Sequence, residues 1–553
     1  GDDGGWLRSR RRGTTQSSLP VTRPRGVRAS RTGPAVAMAG VVFPAGADGK
    51  RATTGPAKAI WARAFRGADA DGAAAVLGER NWRAKYAAHL VPLTEKSART
   101  PEVALEVARA GLEAVHDTFE FERDGETLKL AEAMKSSAAS AQTGVVRSES
   151  ADEPKDEEAF AVQAGPGKCV AGADLEALVA DKVSAGEIEP DVLEALRGLN
   201  AHRAEWRKAL KDTYFVILGA TSELCPLEPL LAMGLNVVAI ARPNAKRQAA
   251  LIAKCRAAPK GASLTVPVLG ESADASRLTD PDYLASVAGA DVITHTPELK
   301  NWLCGLAPGK RLVLGSYIYL DGADHVRASV AMDAILAGVI EARPDTALMY
   351  LGTPAVVYPI PRAATEESVR RREKTPFWHK VASFALGPFE PNTTAPIALE
   401  SVNPKAADTS KEMFLYNGIS NIQGPNYMLA KTLQNWRAML ARETTGTRVS
   451  VNMTPMCTTH SVMHVKSVAH AVRGLQAFAP LVAYDPATAR SLMALLMVYD
   501  MCSNDSPANP TVPLRNPLDI FATLGVHGGI WRCPYSQESL GKTAFLLGAL
   551  HIA

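Results

Sequence analysis

From Tyr214 onward the chain alternates short apolar runs with helical patterns, and this alternation constrains the fold more than any other feature. Tyr214–Leu218 (YFVIL) runs into Gly219-Ala220-Thr221-Ser222. A helical stretch (PLEPLLAMG) follows, then Asn236–Ala241 (NVVAIA), a helix over 244–257, and apolar runs at 263–269 and 291–294. Further strands are predicted at Arg311–Leu314, Ala347–Leu351, Met413–Tyr416 and Arg448–Met453. Strands separated by helices build βαβ units and a parallel sheet. The expected class is α/β, a doubly wound parallel sheet. Right-handed crossovers would put its working crevice at the C-terminal ends of the strands.

The residues before this pattern read differently. Between Gly4 and Ala47 there is no acidic residue, and the stretch is rich in Arg, Ser, Thr and Pro. That is the composition of an organellar transit peptide. Val27-Arg28-Ala29-Ser30 resembles the cleavage sites of algal plastid leaders. Residues 1–40 are therefore read as a chloroplast transit peptide. A mitochondrial leader and an untargeted basic tail are the alternatives. Residues 55–135 read as a helical region, with Val103, Leu105, Val107, Leu112 and Val115 on one apolar face. Residues 136–168, Ser/Ala-rich and then acidic, read as a linker. A helical segment spans 169–212, broken near Pro190. Together these form an N-terminal helical extension that packs on the main domain or mediates assembly, as a homo-oligomer or within a complex. The main α/β domain is placed at 213–480, and a substrate-side segment at 481–553.

Charge narrows the partners. The formal net charge is +4, but residues 1–47 hold eight Arg against Asp2 and Asp3. The remaining body is slightly acidic, which argues against nucleic acid as the main partner. The seven Cys form no C-x-x-C pair, so no zinc ribbon or dithiol motif is present. No apolar run is long enough to span a bilayer; the richest, Leu492–Val498, is far too short. The partner expected is a small molecule.

Candidate chemistry lies at the strand ends. A dinucleotide turn needs glycines so that the backbone can approach a pyrophosphate. Gly219 is present, while Glu223 and Cys225 stand where further glycines are expected. Arg242 ends the second strand, with Lys246 and Arg247 behind it. An Arg there suits the 2′-phosphate of NADP, where an acid would suit NAD. Tyr427 and Lys431 are four residues apart in a predicted helix, which puts both on one face. An ammonium so placed lowers the phenol pKa and makes it a usable general acid. The helix is followed by a strand (RVSVNM), Pro455, and the pair Thr458-Thr459.

His295 reads as a capping or core residue, and the methionines of 493–501 as core packing. His460 and His464 have helical spacing but no third ligand, so no metal is assigned. His527-Gly-Gly-Ile-Trp-Arg532 reads equally as a substrate loop and as a structural turn.

Over roughly residues 213–470 the chain resembles the short-chain dehydrogenase/reductase family, most closely from Tyr427 to Val462. The resemblance implies a Rossmann-type fold and an NADPH-dependent oxidoreductase acting on a carbonyl, an alcohol or an activated C=C. It implies Tyr427 as proton donor, with Lys431 holding the ribose. It places Gly219, Thr221, Ser222, Arg242, Thr294, Pro455 and Thr458 along the cofactor. Two residues compete for the hydroxyl that assists Tyr427. Ser420, after FLYNGI, is preferred for its short loop to Tyr427; Thr353, after ALMYLG, is the other. The family's Asn-Asn-Ala-Gly is replaced by Thr294-His-Thr-Pro297, and residues 362–411 read as an insertion. The alternative is a non-catalytic Rossmann-type subunit of a plastid complex.

Overall fold

Strand Tyr214–Leu218 lies in the middle of a seven-stranded sheet whose other members come from distant parts of the chain. A computed structural model describes residues 39–270, 273–420 and 422–550. The sheet strands in chain order are β1 (Gln142–Arg147), β2 (Tyr214–Leu218), β3 (Asn236–Ile240) and β4 (Ser263–Val268). They continue with β5 (Leu312–Ser316), β6 (Ala347–Gly352) and β7 (Val449–Met453). Their spatial order is β7-β6-β5-β2-β3-β4-β1. Strands β2 to β7 are parallel, and β1 closes one edge antiparallel to β4. The result is a mixed α/β architecture, mostly parallel and flanked by helices, compatible with a Rossmann-like fold.

The pleat explains why these runs are apolar throughout. Successive side chains point to opposite faces, and here both faces are covered. Val216, Leu218, Val238, Ile240, Leu314 and Leu348 join one core. That core includes α1 (Pro101–Thr118), α4 (Ala323–Ala342) and α5 (Pro425–Thr445). Phe215, Ile217, Val237, Ala239, Val313 and Met349 join the other. Its helices include α2 (Pro190–Ala209), α3 (Ala245–Arg256) and α6 (Pro486–Cys502). The methionines of α6 are buried in this second core, so the segment after residue 480 covers the sheet and does not stand apart.

Four sequence expectations are corrected. Residues 136–168 are not only a linker, because 142–147 form β1 and protect the edge of β4. Residues 291–294 are a turn and not a strand. The Asp291 carboxylate accepts from the Ile293 amide at 2.9 Å, a local bond that competes with ladder pairing. The helical region 55–135 is interrupted by a hairpin, Glu120–Arg123 with Glu126–Lys129. Asp124-Gly125 sits at its tip, both at positive φ, the turn chemistry a two-residue hairpin needs. Glu412–Asn417 is a strand, but it pairs antiparallel with Val357–Ile360 and Ile397–Ala398 in a separate small sheet.

The N-terminal helices pack directly on the domain. Gly111 of α1 lies under the Trp436 ring of α5, where a Cβ would come within 2.4 Å of the ring. Trp61 meets Trp436 edge-on at 5.5 Å. The expected transit peptide lies outside the described residues up to residue 38, and Gly40 opens a short strand. No helix among the described residues is long and apolar enough to cross a membrane.

Candidate functional site

Helix α5 brings Tyr427 and Lys431 to the C-terminal edge of the sheet. Gly424 and Pro425 start it and Gly446 ends it, so the two residues lie one turn apart near its beginning. Thr353 directly follows β6. Its Oγ1 lies 2.7 Å from the Tyr427 hydroxyl. Thr353 therefore partners Tyr427, and the expectation for Ser420 is corrected. Ser420 Oγ donates to the Glu538 carboxylate at 3.3 Å, and the Ser420 carbonyl accepts from the Tyr86 hydroxyl at 3.0 Å. The physical reason is strand membership. The strand before Ser420 belongs to the small antiparallel sheet, whereas Thr353 ends a strand of the main one.

Two further residues complete the cluster, and sequence reasoning missed both. The His325 ring, on the first turn of α4, stacks on the Tyr427 ring at 5.4 Å with 11° between planes. Tyr319 meets Tyr427 edge-on at 6.1 Å. His325 Nδ1 accepts from the Leu320 amide at 3.2 Å, which leaves the proton on Nε2. That Nε2 is buried without a partner among the described residues. Ser316 Oγ, at the end of β5, and Thr454 Oγ1, just past β7, are likewise buried and unpartnered. The only signal for His325 is its place after a strand end, where open α/β sheets gather functional groups.

Electrostatics set the protonation states. Burial pushes the Tyr427 phenol well above its usual range, against the opposing Thr353 hydrogen bond. The expected lowering of this phenol by Lys431 is absent. Lys431 Nζ lies 6.0 Å from the centre of the Tyr427 ring and donates to Gln434 Oε1 at 3.3 Å. Burial pulls the Lys431 ammonium down to about 8. Burial, then the Lys431 charge, pulls His325 down to about 3. At neutral pH the cluster thus holds a neutral phenol, a neutral imidazole and a mostly protonated amine. Burial makes this phenol a weaker acid than an exposed one, and the Thr353 hydrogen bond opposes that effect.

The nucleotide-side candidates fall in two groups. Gly219 has φ +103, and a Cβ there would meet the Ile318 amide nitrogen at 2.9 Å. The glycine is needed for this close approach to the loop after β5. The amides of Gly219 and Ala220 are bonded to the Ile240 carbonyl, and the Ser222 amide to that of Gly219. Thr221 is exposed and Ser222 half-buried. The Cys225 thiol is buried and donates to the Ala220 carbonyl at 3.4 Å. The Glu223 carboxylate accepts from the His460 amide at 2.8 Å, linking the glycine turn to the loop after β7. In that loop Pro455 is buried, and Thr458 bonds to the Tyr484 carbonyl through its amide, at 3.0 Å, and its hydroxyl. Thr294 Oγ1 bonds His295, and the Thr294 carbonyl accepts from Arg123. Arg242, Lys246 and Arg247 are all exposed, and none has a carboxylate partner among the described residues. Asn244 between them caps α3.

A cleft of about 460 Å³ opens at the opposite, N-terminal ends of β2 and β5, beside Trp206, Arg311 and Cys502. Burial pushes the Cys502 thiol up to about 12, so it offers no thiolate there. His527 and Arg532 are absorbed by structure. Both bond the buried carboxylate of Glu189, at the start of α2. Comparison of the chain with protein-family models, with curated proteins and with solved structures finds no match in any of the three.

Proposed function

We propose that this chain is an NADPH-dependent reductase of the short-chain dehydrogenase/reductase type. Its scaffold is a doubly wound, Rossmann-type sheet, and its substrate is a small molecule bearing a carbonyl or an activated C=C. One observation carries the reading: the Tyr427 hydroxyl bonded to Thr353 Oγ1, with Lys431 one turn on, at the C-terminal edge of a mostly parallel sheet.

The residues fit a phosphorylated nucleotide at its 2′-phosphate end. Arg242, Lys246 and Arg247 are exposed, unpaired and grouped beside the end of β3. At the pyrophosphate turn the fit requires the Glu223–His460 link to open. NADPH, when bound, supplies the hydride that this chain's own side chains lack. Tyr427 then protonates the developing negative charge on the substrate oxygen. Thr353 holds the phenol in place, and its hydroxyl stabilises the phenolate left behind. The phenol is protonated at rest, the state in which it donates to a substrate oxygen.

A second reading, a non-catalytic Rossmann-type subunit, is favoured by that same Glu223–His460 link, which ties the turn shut. Nicotinamide fluorescence on adding NADPH to the pure full chain separates the two. Enhanced emission and consumption of NADPH with a panel of aldehydes and enones supports the reductase. Absence of any binding supports the scaffold. A plastid is the proposed location, resting on the acid-free leader, and the N-terminal sequence of native protein tests it.

A further inference from the structure

Helix Phe377–Leu386 is turned inside out. Pro376 precedes it and Gly387, at φ +123, ends it. Its inward face carries His379, which is buried among the rings of Phe389, Phe478 and Tyr535. Trp378 packs on Phe478 at 5.3 Å. These contacts fix the rotation of the helix. The opposite face presents Phe377, Val381 and Phe384, spaced to fall on one stripe. They are 78%, 51% and 94% exposed. Each Phe carries roughly 150–250 Å² of surface that water would otherwise not face. The final helix, Gln537–Ala549, touches this one and leaves Phe545, Leu546 and Leu550 exposed as well.

Charge accompanies the apolar stripe. Lys380 lies beside it on the same helix, and Arg370 and Lys374 lie on and just after the preceding helix, Arg362–Glu373. All three are exposed, and none forms an ion pair among the described residues. Val369, on the preceding helix, is a further exposed apolar residue, at 51%. Glu366 and Glu373 are the exposed acids of this stretch, so its balance stays positive.

We infer that this face docks the protein on an anionic lipid surface, with Phe377, Val381 and Phe384 entering the headgroup boundary and the basic residues meeting the phosphates. Two features favour a bilayer over a protein partner. A Phe that is 94% exposed stands free of its neighbours and needs a medium that yields around it. The stripe also has an exposed cation, Lys380, next to Val381 on the same helix, and Arg370 and Lys374 precede that helix in sequence, which together supply the apolar and electrostatic contributions of interfacial binding. No spanning segment is involved.

The test is co-sedimentation of the full chain with two sets of vesicles, phosphatidylcholine alone and phosphatidylcholine mixed with phosphatidylglycerol. Binding is expected to the mixed vesicles, and weaker in high salt. Phe384→Asp should reduce partitioning at least about tenfold, the loss expected for one buried Phe. Phe384 is so exposed that the variant should fold, and an unchanged melting temperature checks this. Lys380→Glu should remove the preference for anionic vesicles. The Arg-rich leader is the same in every variant, so these differences report the helix alone. No vesicle binding, or binding that Phe384→Asp leaves intact, overturns the inference. So does a dimer in light scattering that Phe384→Asp dissociates, because the face would then bind a second copy.

Discussion

Thr353 Oγ1 and the Tyr427 hydroxyl lie 2.7 Å apart, joining the end of β6 to the start of α5 across 74 residues of sequence. The contact gives the hydroxyl of a common spacing, Tyr and Lys at i and i+4, a fixed partner at the end of a main-sheet strand. Tyr427→Phe should cut turnover by about 10²–10⁴, the usual size of a general acid contribution. Thr353→Ala should reduce turnover in the same direction, and Thr353→Ser should restore most of it. Ser420→Ala should leave turnover unchanged, since Ser420 faces Glu538. Steady-state rates for the four variants check this. Equal damage from Thr353→Ala and Ser420→Ala would place the chemistry elsewhere.

Lys431 carries a cost in stability. Its pKa falls from 10.5 to about 8 in the folded chain, through burial. Between those values the unfolded chain binds more protons than the folded one, so stability rises with pH across the window. Below pH 8 the full penalty applies, on the order of 3 kcal/mol. Lys431→Met should therefore raise the melting temperature at pH 7 while abolishing turnover, and its gain should shrink toward pH 10. A variant that melts lower than the parent would mean that the bond to Gln434 outweighs the desolvation of the amine.

The parts legible in sequence were those set by local pattern. Each of β2, β3 and β4 is an apolar run bounded by turn residues, and the Tyr427–Lys431 pair needs only one helix. What escaped depends on which strand joins which sheet. The run before Ser420 looks like any other strand, and nothing near it says that its partners are Val357–Ile360 and Ile397–Ala398. The choice between Ser420 and Thr353 failed for that reason. Asp291 defeated a strand by bonding its own neighbours, and β1 emerged from linker-like composition because the edge of β4 needed cover. His325 was invisible because its meaning comes from a ring 102 positions away.

Arg242 tests the cofactor preference. It is exposed and unpaired at the end of β3, so removing it disturbs no internal bond. Arg242→Ala should weaken NADPH binding by roughly ten- to a hundredfold, the value of one charge-assisted hydrogen bond, and leave NADH binding unaffected. Fluorescence titration with each nucleotide gives both numbers. Equal affinity of the unmutated protein for the two would remove the 2′-phosphate from this corner of the fold.

Glu189 should govern acid stability. It stands at the N-cap position of α2, and its carboxylate accepts from Arg532 Nε at 2.9 Å and His527 Nε2 at 2.9 Å; Arg532 also pairs with Glu367. His527 Nδ1 accepts from the Gly529 amide, so Nε2 is the donor and the ring is neutral. Burial alone would raise the Glu189 carboxyl, but the bonds from His527 and Arg532 outweigh it and hold the group at about 2. A carboxyl held below its ordinary 4.5 contributes stability that is complete above that value. This contribution, about 3 kcal/mol, disappears as pH falls from 4.5 to 2. Burial also pulls His527 down, which adds a loss in the same direction once pH drops below 6.5. Glu189→Gln leaves Arg532 with only Glu367 and should cost about 3–5 kcal/mol at pH 7, the usual price of breaking a buried pair. Its stability should also vary less between pH 5 and pH 2 than the parent's. Urea unfolding across that range measures both effects. A Glu189→Gln variant with the parent's full acid slope would assign the acid sensitivity to other carboxylates, with Asp333, held low by Arg437 and His116, the first to examine.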